Sequence, residues 1–169
     1  MRGLAFFLLW VAFLTHAEDC PTKARVVDGK TLIEPCSLRV EGTLRSGTSY
    51  RLVLREGVYR RAPGERSDDG SRWGIDGGFP WTYITDLTLT IGSRRVLIPR
   101  KSFSDLVNIT RAGVSEKGKS ILVTVAGGDA AGSFDATFTI RGYRLVERMV
   151  RMGEAPDQRW ERTIFHNTL

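Results

Sequence analysis

Apolar and polar residues alternate along most of the chain, with the two-residue period of a half-buried strand rather than the 3.6-residue period of an amphipathic helix. Residues 87–91 show the pattern most clearly, because leucine and isoleucine alternate there with threonine. The pair Gly92-Ser93 follows and separates them from a second apolar run over residues 96–98. Glycine favours the positive φ angles of tight hairpin turns, so this region predicts a β-hairpin.

Alternation of this kind recurs to the end of the chain and predicts eight to ten short strands. Turn-forming pairs at Asp28-Gly29, Lys117-Gly118 and Arg141-Gly142 separate several of them. The apolar or alternating segments from which these eight to ten strands are expected lie near residues 25–27, 31–33, 38–44, 50–54, 87–91, 96–98, 114–116, 121–125, 134–140, 143–152 and 160–165. Short strands at this spacing are typical of an all-β fold. We therefore expect an antiparallel β-sandwich or a flattened barrel.

Two regions depart from the β pattern. After Pro99, the spacing of Ser102 and Asp105 predicts one short, capped helical turn that runs through Leu106. Residues 60–78 contain glycine, proline and charged residues without any periodicity. A loop of this length in a compact domain is usually functional or disordered. We interpret it as a long irregular loop within a single β domain that covers residues 18–169.

The N-terminus has the three parts of a signal peptide. Arg2 precedes an apolar run over residues 4–14, and small Ala17 follows shortly after it. Eleven apolar residues are too few to span a bilayer as a helix, which takes about 20. We therefore expect cleavage after residue 17 and export to the periplasm or the extracellular space. The cleaved protein is not expected to be an integral membrane protein.

Export affects the expected oxidation state of Cys20 and Cys36, which are the only two cysteines. Oxidising compartments favour disulfide formation, so we expect these two thiols to pair. The bridge would close a loop of 17 residues and stabilise the fold by about 3 kcal/mol. The C-x-x-C spacing of a redox site is absent, which favours a structural bridge.

Charge and composition describe a basic, globular protein. The chain of 169 residues has 25 Lys plus Arg against 19 Asp plus Glu, a formal charge of +6, and 41% hydrophobic residues. Twenty of the 25 basic residues are arginine, whose planar guanidinium binds carboxylates and phosphates in bidentate fashion. Because the protein is expected to be exported, nucleic acid is an improbable partner. We expect a protein or an anionic envelope polymer instead.

The sequence offers few residues for catalysis or metal binding. His166 would be the only histidine after signal cleavage, so no histidine-rich metal site and no Ser/His/Asp triad is expected. We predict no metal and no cofactor. The only credible catalytic carboxylates are Asp129, Asp135, Glu147 and Glu161. Arginines flank the last two, which favours ion pairing on a solvated face over hydrolysis.

A glycine-rich segment is the most distinctive motif. It contains Gly127, Gly128, Asp129 and Gly132. Glycines with an aspartate fit a tight connection between two strands, in which the carboxylate accepts local backbone hydrogen bonds. The alternative is an oxygen-rich cation site that uses Asp129 and Asp135.

Aromatic residues around the irregular loop suggest a binding surface. Exposed tryptophan near arginine is typical of interface hot spots. We expect Trp73, in the polar part, to be exposed, and we expect Phe79 and Trp81 to begin a strand and enter the core. The candidate binding residues are Arg60, Arg61, Trp73, Trp81, Arg94 and Arg95.

From Phe79 to Phe165 the order of segments resembles a group of uncharacterised secreted bacterial proteins. The matching segments are residues 96–99 with 103–106, residues 127–134, Arg148, and residues 153–157 with 160–163. The resemblance implies a bacterial, exported protein and brings no activity with it. The first third of the chain, with both cysteines, lies outside it.

Three functions remain open at this point. The first is an exported, non-enzymatic protein that binds a macromolecule, such as an inhibitor, an immunity-type protein or an envelope component. The second is a barrel that binds a small ligand or glycan in a cavity lined by Trp81, Tyr83, Phe134 and Phe138. The third is a hydrolase in which two of the carboxylates converge in one cleft.

Overall fold

The computed structural model describes residues 30–34, 36–66, 70–128, 130–155, 157 and 159–166. Within these ranges, ten strands form two five-stranded antiparallel sheets. The first sheet contains β1 (Lys30–Glu34), β2 (Ser37–Thr43), β3 (Ser49–Val58), β4 (Thr82–Ile91) and β5 (Arg94–Arg95). The second contains β6 (Ile109–Lys117), β7 (Ser120–Gly127), β8 (Phe134–Arg141), β9 (Arg144–Met152) and β10 (Arg159–Ile164). Each strand pairs with the strand that follows it, so each sheet is a simple meander.

The two sheets share one apolar core, which confirms the expected all-β sandwich. Alternate residues of β8 are buried from Phe134 to Ile140, and Leu52 and Leu54 of β3 enter the same core from the first sheet. The alternation in β4 changes phase once, because the register between β3 and β4 shifts at a bulge and Thr85 becomes the extra residue.

The hairpin at Gly92-Ser93 is confirmed, but its second strand is shorter than expected. β5 ends at Arg95, the amide of Val96 still donates to the carbonyl of Leu89 in β4 at 2.8 Å, and the chain then leaves the first sheet. The amide of Leu97 donates to the carbonyl of Tyr143 at 3.1 Å, and the amide of Leu145 donates back to the carbonyl of Leu97 at 3.3 Å. Residues 96–98 therefore connect the two sheets instead of extending the hairpin.

The helical turn lies earlier than predicted, and its predicted cap is wrong. A 3-10 turn covers Arg100–Ser102, and no side chain caps its start at Pro99. The hydroxyl of Ser102 donates to the carbonyl of Pro99 at 2.6 Å, and Asp105 binds an arginine of β9 instead of capping. A second 3-10 turn, not expected from the sequence, covers Ala130–Gly132.

The N-terminal predictions fall largely outside the described residues. Residues 1–17, Cys20 and the Asp28-Gly29 turn all lie there, so the predicted turn stays a prediction. The first described hairpin joins β1 to β2, and Glu34 pairs with Ser37 at its end. Cys36 follows β1 with a φ of 58°, and no described cysteine is a free thiol. Its pairing with Cys20 stays a prediction. Among the helices of the described ranges, none is long and apolar enough to cross a membrane.

Candidate functional site

The connection between β3 and β4 is built around a stack of aromatic rings and arginines. Its described residues are 59–66 and 70–81, which we call the β3–β4 segment. The rings of Tyr59 and Phe79 stack with centroids 6.1 Å apart and planes inclined by 19°. Arg61 lies over the ring of Phe79, 4.7 Å from its centroid, and Arg72 lies over the ring of Tyr59, 5.0 Å from its centroid. Because both arginines lie over ring faces, cation–π attraction joins the two ends of the segment.

Glu65 closes the first turn of the segment. Its carboxylate accepts hydrogen bonds from the hydroxyl of Tyr59 and, at 2.9 Å, from the amide of Ala62. Arg61 Nε donates to the carbonyl oxygen of Glu65 at 2.7 Å. The hydrogen bond from Tyr59, followed by that from Ala62, lowers the pKa of Glu65. The same bond to Glu65 raises the pKa of Tyr59, because it favours the protonated phenol.

Asn108 holds the segment against the body of the sandwich. Its side-chain oxygen Oδ1 accepts hydrogen bonds from the amides of Trp81 at 2.7 Å and Thr82 at 3.2 Å. Its Nδ2 donates to the carbonyl of Gly74 at 2.9 Å, and its own carbonyl accepts from the amide of Gly128 at 3.0 Å. Asn108 has a φ of 53°, a conformation that asparagine tolerates better than most residues. Asn108 thus connects three separate parts of the backbone, two through its side chain and one through its own carbonyl.

The glycine-rich motif lets the backbones of two loops touch. A Cβ on Gly128 would lie 2.8 Å from the Cα of Gly74, and a Cβ on Gly132 would lie 2.5 Å from the carbonyl carbon of Ile75. A Cβ on Gly74 would lie 2.5 Å from a backbone carbonyl oxygen of the chain before β6. The glycines therefore serve contact with the β3–β4 segment as well as local turn geometry. Asp129 lies outside the described residues.

The exposures of Trp73 and Trp81 are the reverse of those expected. Trp73 is half-buried against the core, and its backbone bonds to Asp105 at 2.8 Å and to Val107 at 3.0 Å. Trp81 is 68% exposed. The reason is that β4 begins at Thr82, which takes the inward position, so that its neighbour Trp81 points outward. Phe79 likewise lies half-buried in the stack instead of the core.

A buried carboxylate explains why Thr82 faces inward. Glu56 is in phase with Leu52 and Leu54 on the inner face of β3 and is 5% exposed. Its Oε1 accepts hydrogen bonds from the hydroxyl of Thr82 at 2.6 Å and from the amide of Ile109 at 3.3 Å. Glu56 thereby joins β3 and β4 to the start of β6. Glu56 continues the alternation of Leu52 and Leu54 along the sequence, which indicates an inward position that the sequence analysis missed.

The structure divides the six candidate binding residues into two groups. Arg60, Arg61, Trp73 and Trp81 belong to the β3–β4 segment, and Arg60 and Arg61 are exposed. Arg94 and Arg95 lie at the other end of β4, about 30 Å away for a strand that rises about 3.3 Å per residue. There Arg94 covers the ring of Tyr143 at 4.1 Å, and Arg95 donates to the hydroxyl of Thr88 at 2.9 Å.

Of the four carboxylates considered for catalysis, the three that lie within the described residues are paired with arginines. Asp135 lies 3.3 Å from Arg111, and Glu147 lies 2.8 Å from Arg162. Glu161 lies 3.5 Å from Arg148, which is buried rather than on a solvated face. Among the described residues, no group of three or more His, Cys, Asp or Glu side chains could hold a metal ion.

The aromatic residues considered for a ligand cavity are not brought together. Trp81 is exposed, whereas Phe134 and Phe138 are fully buried in the core. Comparisons of the chain with protein-family models, with curated proteins and with solved structures gave no match. The function must therefore be argued from the geometry.

Proposed function

We propose that this protein is an exported, non-enzymatic binding domain that recognises a protein partner through Trp81 and the adjoining β3–β4 segment. The observation that carries the proposal is the exposed indole ring of Trp81, 68% accessible, beside an ordered arginine–aromatic stack. Tryptophan, tyrosine and arginine supply most hot-spot energy in protein interfaces. The role as an inhibitor, an immunity-type protein or an envelope component is proposed on the same basis.

The rigidity of the surface supports this proposal. The amide of Trp81 is held by Asn108, and the carbonyl of Trp81 accepts a hydrogen bond from the amide of Tyr59 at 2.9 Å. Both sides of its peptide backbone are therefore positioned before any partner arrives. A preorganised backbone loses less conformational entropy on binding, so more of the contact energy becomes affinity.

The charge balance of the connection favours a protein over an anionic polymer. Residues 59–81 contain four arginines and also four acidic residues. A polyanion is bound by net positive charge that releases counterions, and this surface has none in excess. Export itself is proposed from the N-terminal segment, together with the Cys20–Cys36 bridge that an oxidising compartment would favour.

A quantitative capture experiment tests the role of Trp81. The mature protein is immobilised, and partners from an envelope extract are cross-linked, identified and titrated. Trp81→Ala should weaken binding of the same partner by about 30-fold, the effect of a hot spot worth about 2 kcal/mol. Leu97→Ala is the matched control, because Leu97 is 63% exposed but lies where the chain crosses between the sheets.

Three outcomes would contradict the proposal. Equal affinity of wild type and Trp81→Ala would remove the tryptophan from the interface. A similar loss in Leu97→Ala would show that general surface hydrophobicity was responsible. Recovery of an anionic polymer whose binding disappears in high salt would replace the protein partner with an electrostatic one.

A further inference from the structure

A cavity lies between residues 99–102, which follow the crossing from the first sheet to the second, and strand β10. Trp81 is not among the residues that line it. The cavity has a volume of about 530 Å³, which is within the range of small-molecule sites. Pro99, Ile164 and Phe165 contribute apolar surface, and Lys101, Arg148 and His166 contribute nitrogen donors. Glu161 contributes one carboxylate, which faces Arg148. We call it the Arg148 cavity. It thus combines an apolar wall with basic groups.

Arg148 is a buried guanidinium whose hydrogen-bonding capacity is only partly used. Its side chain is 5% exposed, and Nη2 donates to Asp105 Oδ2 at 2.7 Å. Nη1 lies 3.5 Å from Glu161 Oε1, and the buried Nε has no hydrogen-bond acceptor. Asp105 Oδ1 has no donor either. Arg148 and Asp105 are therefore joined by one hydrogen bond, from Nη2 to Oδ2, instead of the two parallel bonds that arginine favours. Leaving buried charged donors without acceptors is costly, which makes this a place where further acceptors stabilise the protein.

The carboxylates around Arg148 are already committed within the protein. Glu161 Oε1 accepts a hydrogen bond from the hydroxyl of Thr163 at 2.7 Å as well as facing Arg148. Asp105 is held by Arg148 itself. Lys101, in contrast, is exposed and brings a further positive charge to the rim of the same cavity.

The cavity is also where separate segments of the sequence meet. Pro99 and Asp105 lie between β5 and β6, whereas Arg148 belongs to β9 and Glu161 to β10. Asp105 and Arg148 are 43 residues apart along the chain and bond directly. The proposed protein-binding function uses none of their side chains.

We propose that the Arg148 cavity binds a small organic carboxylate. The carboxylate head lies between Arg148 and Lys101, where two cationic donors face it. The apolar body lies against Pro99, Ile164 and Phe165. Guanidinium and carboxylate form charge-assisted hydrogen bonds that exceed neutral ones in strength, so the head group sets the selectivity.

Phenylacetate is a suitable probe, and phenylacetamide is its uncharged control of the same shape. We would follow the side-chain Nε–H signal of Arg148 and the backbone amides of residues 99–102 by NMR during titration. Phenylacetate should bind with a dissociation constant on the order of 1 mM, as expected for so small a ligand. Phenylacetamide should bind at least about tenfold more weakly. Inorganic phosphate, added separately, shows whether an anion without an apolar body suffices.

Lys101→Gln tests the site without disturbing the buried pair. It should weaken phenylacetate binding about threefold to fivefold, the range of an exposed ion pair. Lys119→Gln makes the same change of charge in the turn between β6 and β7 and should leave the affinity unchanged. Equal affinity for acid and amide, equal effects of the two lysine variants, or no saturable shift below about 10 mM would each overturn the proposal.

Discussion

The β3–β4 segment and the β8–β9 connection are both ordered, but for different physical reasons. β8 and β9 are joined by Gly142 and Tyr143 alone, with φ angles of 54° and 65°. Two consecutive positive φ angles are typical of a type I′ turn, whose twist matches that of the paired strands. The β3–β4 segment has no such local device over most of its length. Its order comes from Asn108 and from the loop at residues 127–132, which are distant in the sequence.

The difference shows that the length of a loop does not decide whether it is ordered. A short turn is stabilised by the backbone preferences of its own residues. A long connection must gain contacts that outweigh its larger conformational entropy. Substitutions at the distant contacts should therefore affect the long connection and leave the short one unchanged.

The largest effect is expected for Asn108→Ala. It removes the acceptor for the amides of Trp81 and Thr82 and the donor for Gly74, and it places alanine at a positive φ. We expect a loss of about 3 kcal/mol in the free energy of unfolding, measured by chemical denaturation. Asn108→Gly separates the two causes, because glycine tolerates the backbone angle and also lacks the side chain. If Asn108→Gly is as stable as the wild type, the side-chain hydrogen bonds are not what holds the segment.

The next largest loss of stability is expected for Gly132→Ala, at the contact with the β3–β4 segment, and Gly142→Ala in the β8–β9 turn serves for comparison. Gly132→Ala would place a Cβ 2.5 Å from the carbonyl carbon of Ile75, so the backbone of the two loops must separate. We expect a cost of about 2 to 3 kcal/mol. Gly142→Ala meets no atom within 4 Å and suffers only from its φ of 54°, so about 1 kcal/mol is expected. Equal unfolding midpoints for the two variants would contradict the backbone contact.

Arg61→Ala should have a smaller effect on stability and a local effect on structure. It removes the guanidinium above Phe79 and the hydrogen bond to the carbonyl of Glu65. Exposed cation–π contacts contribute about 0.5 to 1 kcal/mol. Faster amide hydrogen exchange in residues 59–66, with unchanged exchange at the turn of Gly142, would support the stack. Arg141→Ala, at the short turn, is the control, and faster exchange of residues 59–66 there would contradict it.

The smallest effect concerns the pH range in which the Tyr59–Glu65 contact persists. The hydrogen bond lowers the pKa of Glu65, so its stabilisation is present above the ordinary glutamate pKa of about 4.3 and is lost as pH falls through the lower folded value. It raises the pKa of Tyr59, so stabilisation is present below about 10 and is lost as pH rises through the higher folded value. Ring NMR signals of Tyr59 should follow both transitions. In Glu65→Gln the acid transition should disappear, and an unchanged one would assign it elsewhere.

The sequence by itself determined the all-β architecture and most of its turns. Alternation with period two indicates directly which side of a strand is apolar, and burial of that side is the main driving force for folding. The turn at Gly92-Ser93 was visible for the same local reason, because its residues permit the required backbone angles. The glycine motif was visible too, but only its local role was recognised.

Only the tertiary structure decided which residues make the surface and the cavity. Trp81 points outward because Thr82 takes the inward position and bonds to Glu56, 26 residues earlier in the chain. Asp105 does not cap the helical turn because Arg148, 43 residues later, binds its carboxylate. In both cases a contact with a residue distant in the sequence decided the orientation. A buried charged or polar group needs a hydrogen-bond partner, and that partner can come from any strand that packs nearby. The pattern of apolar and polar residues along the chain does not show which strands will pack together, so it cannot identify the partner.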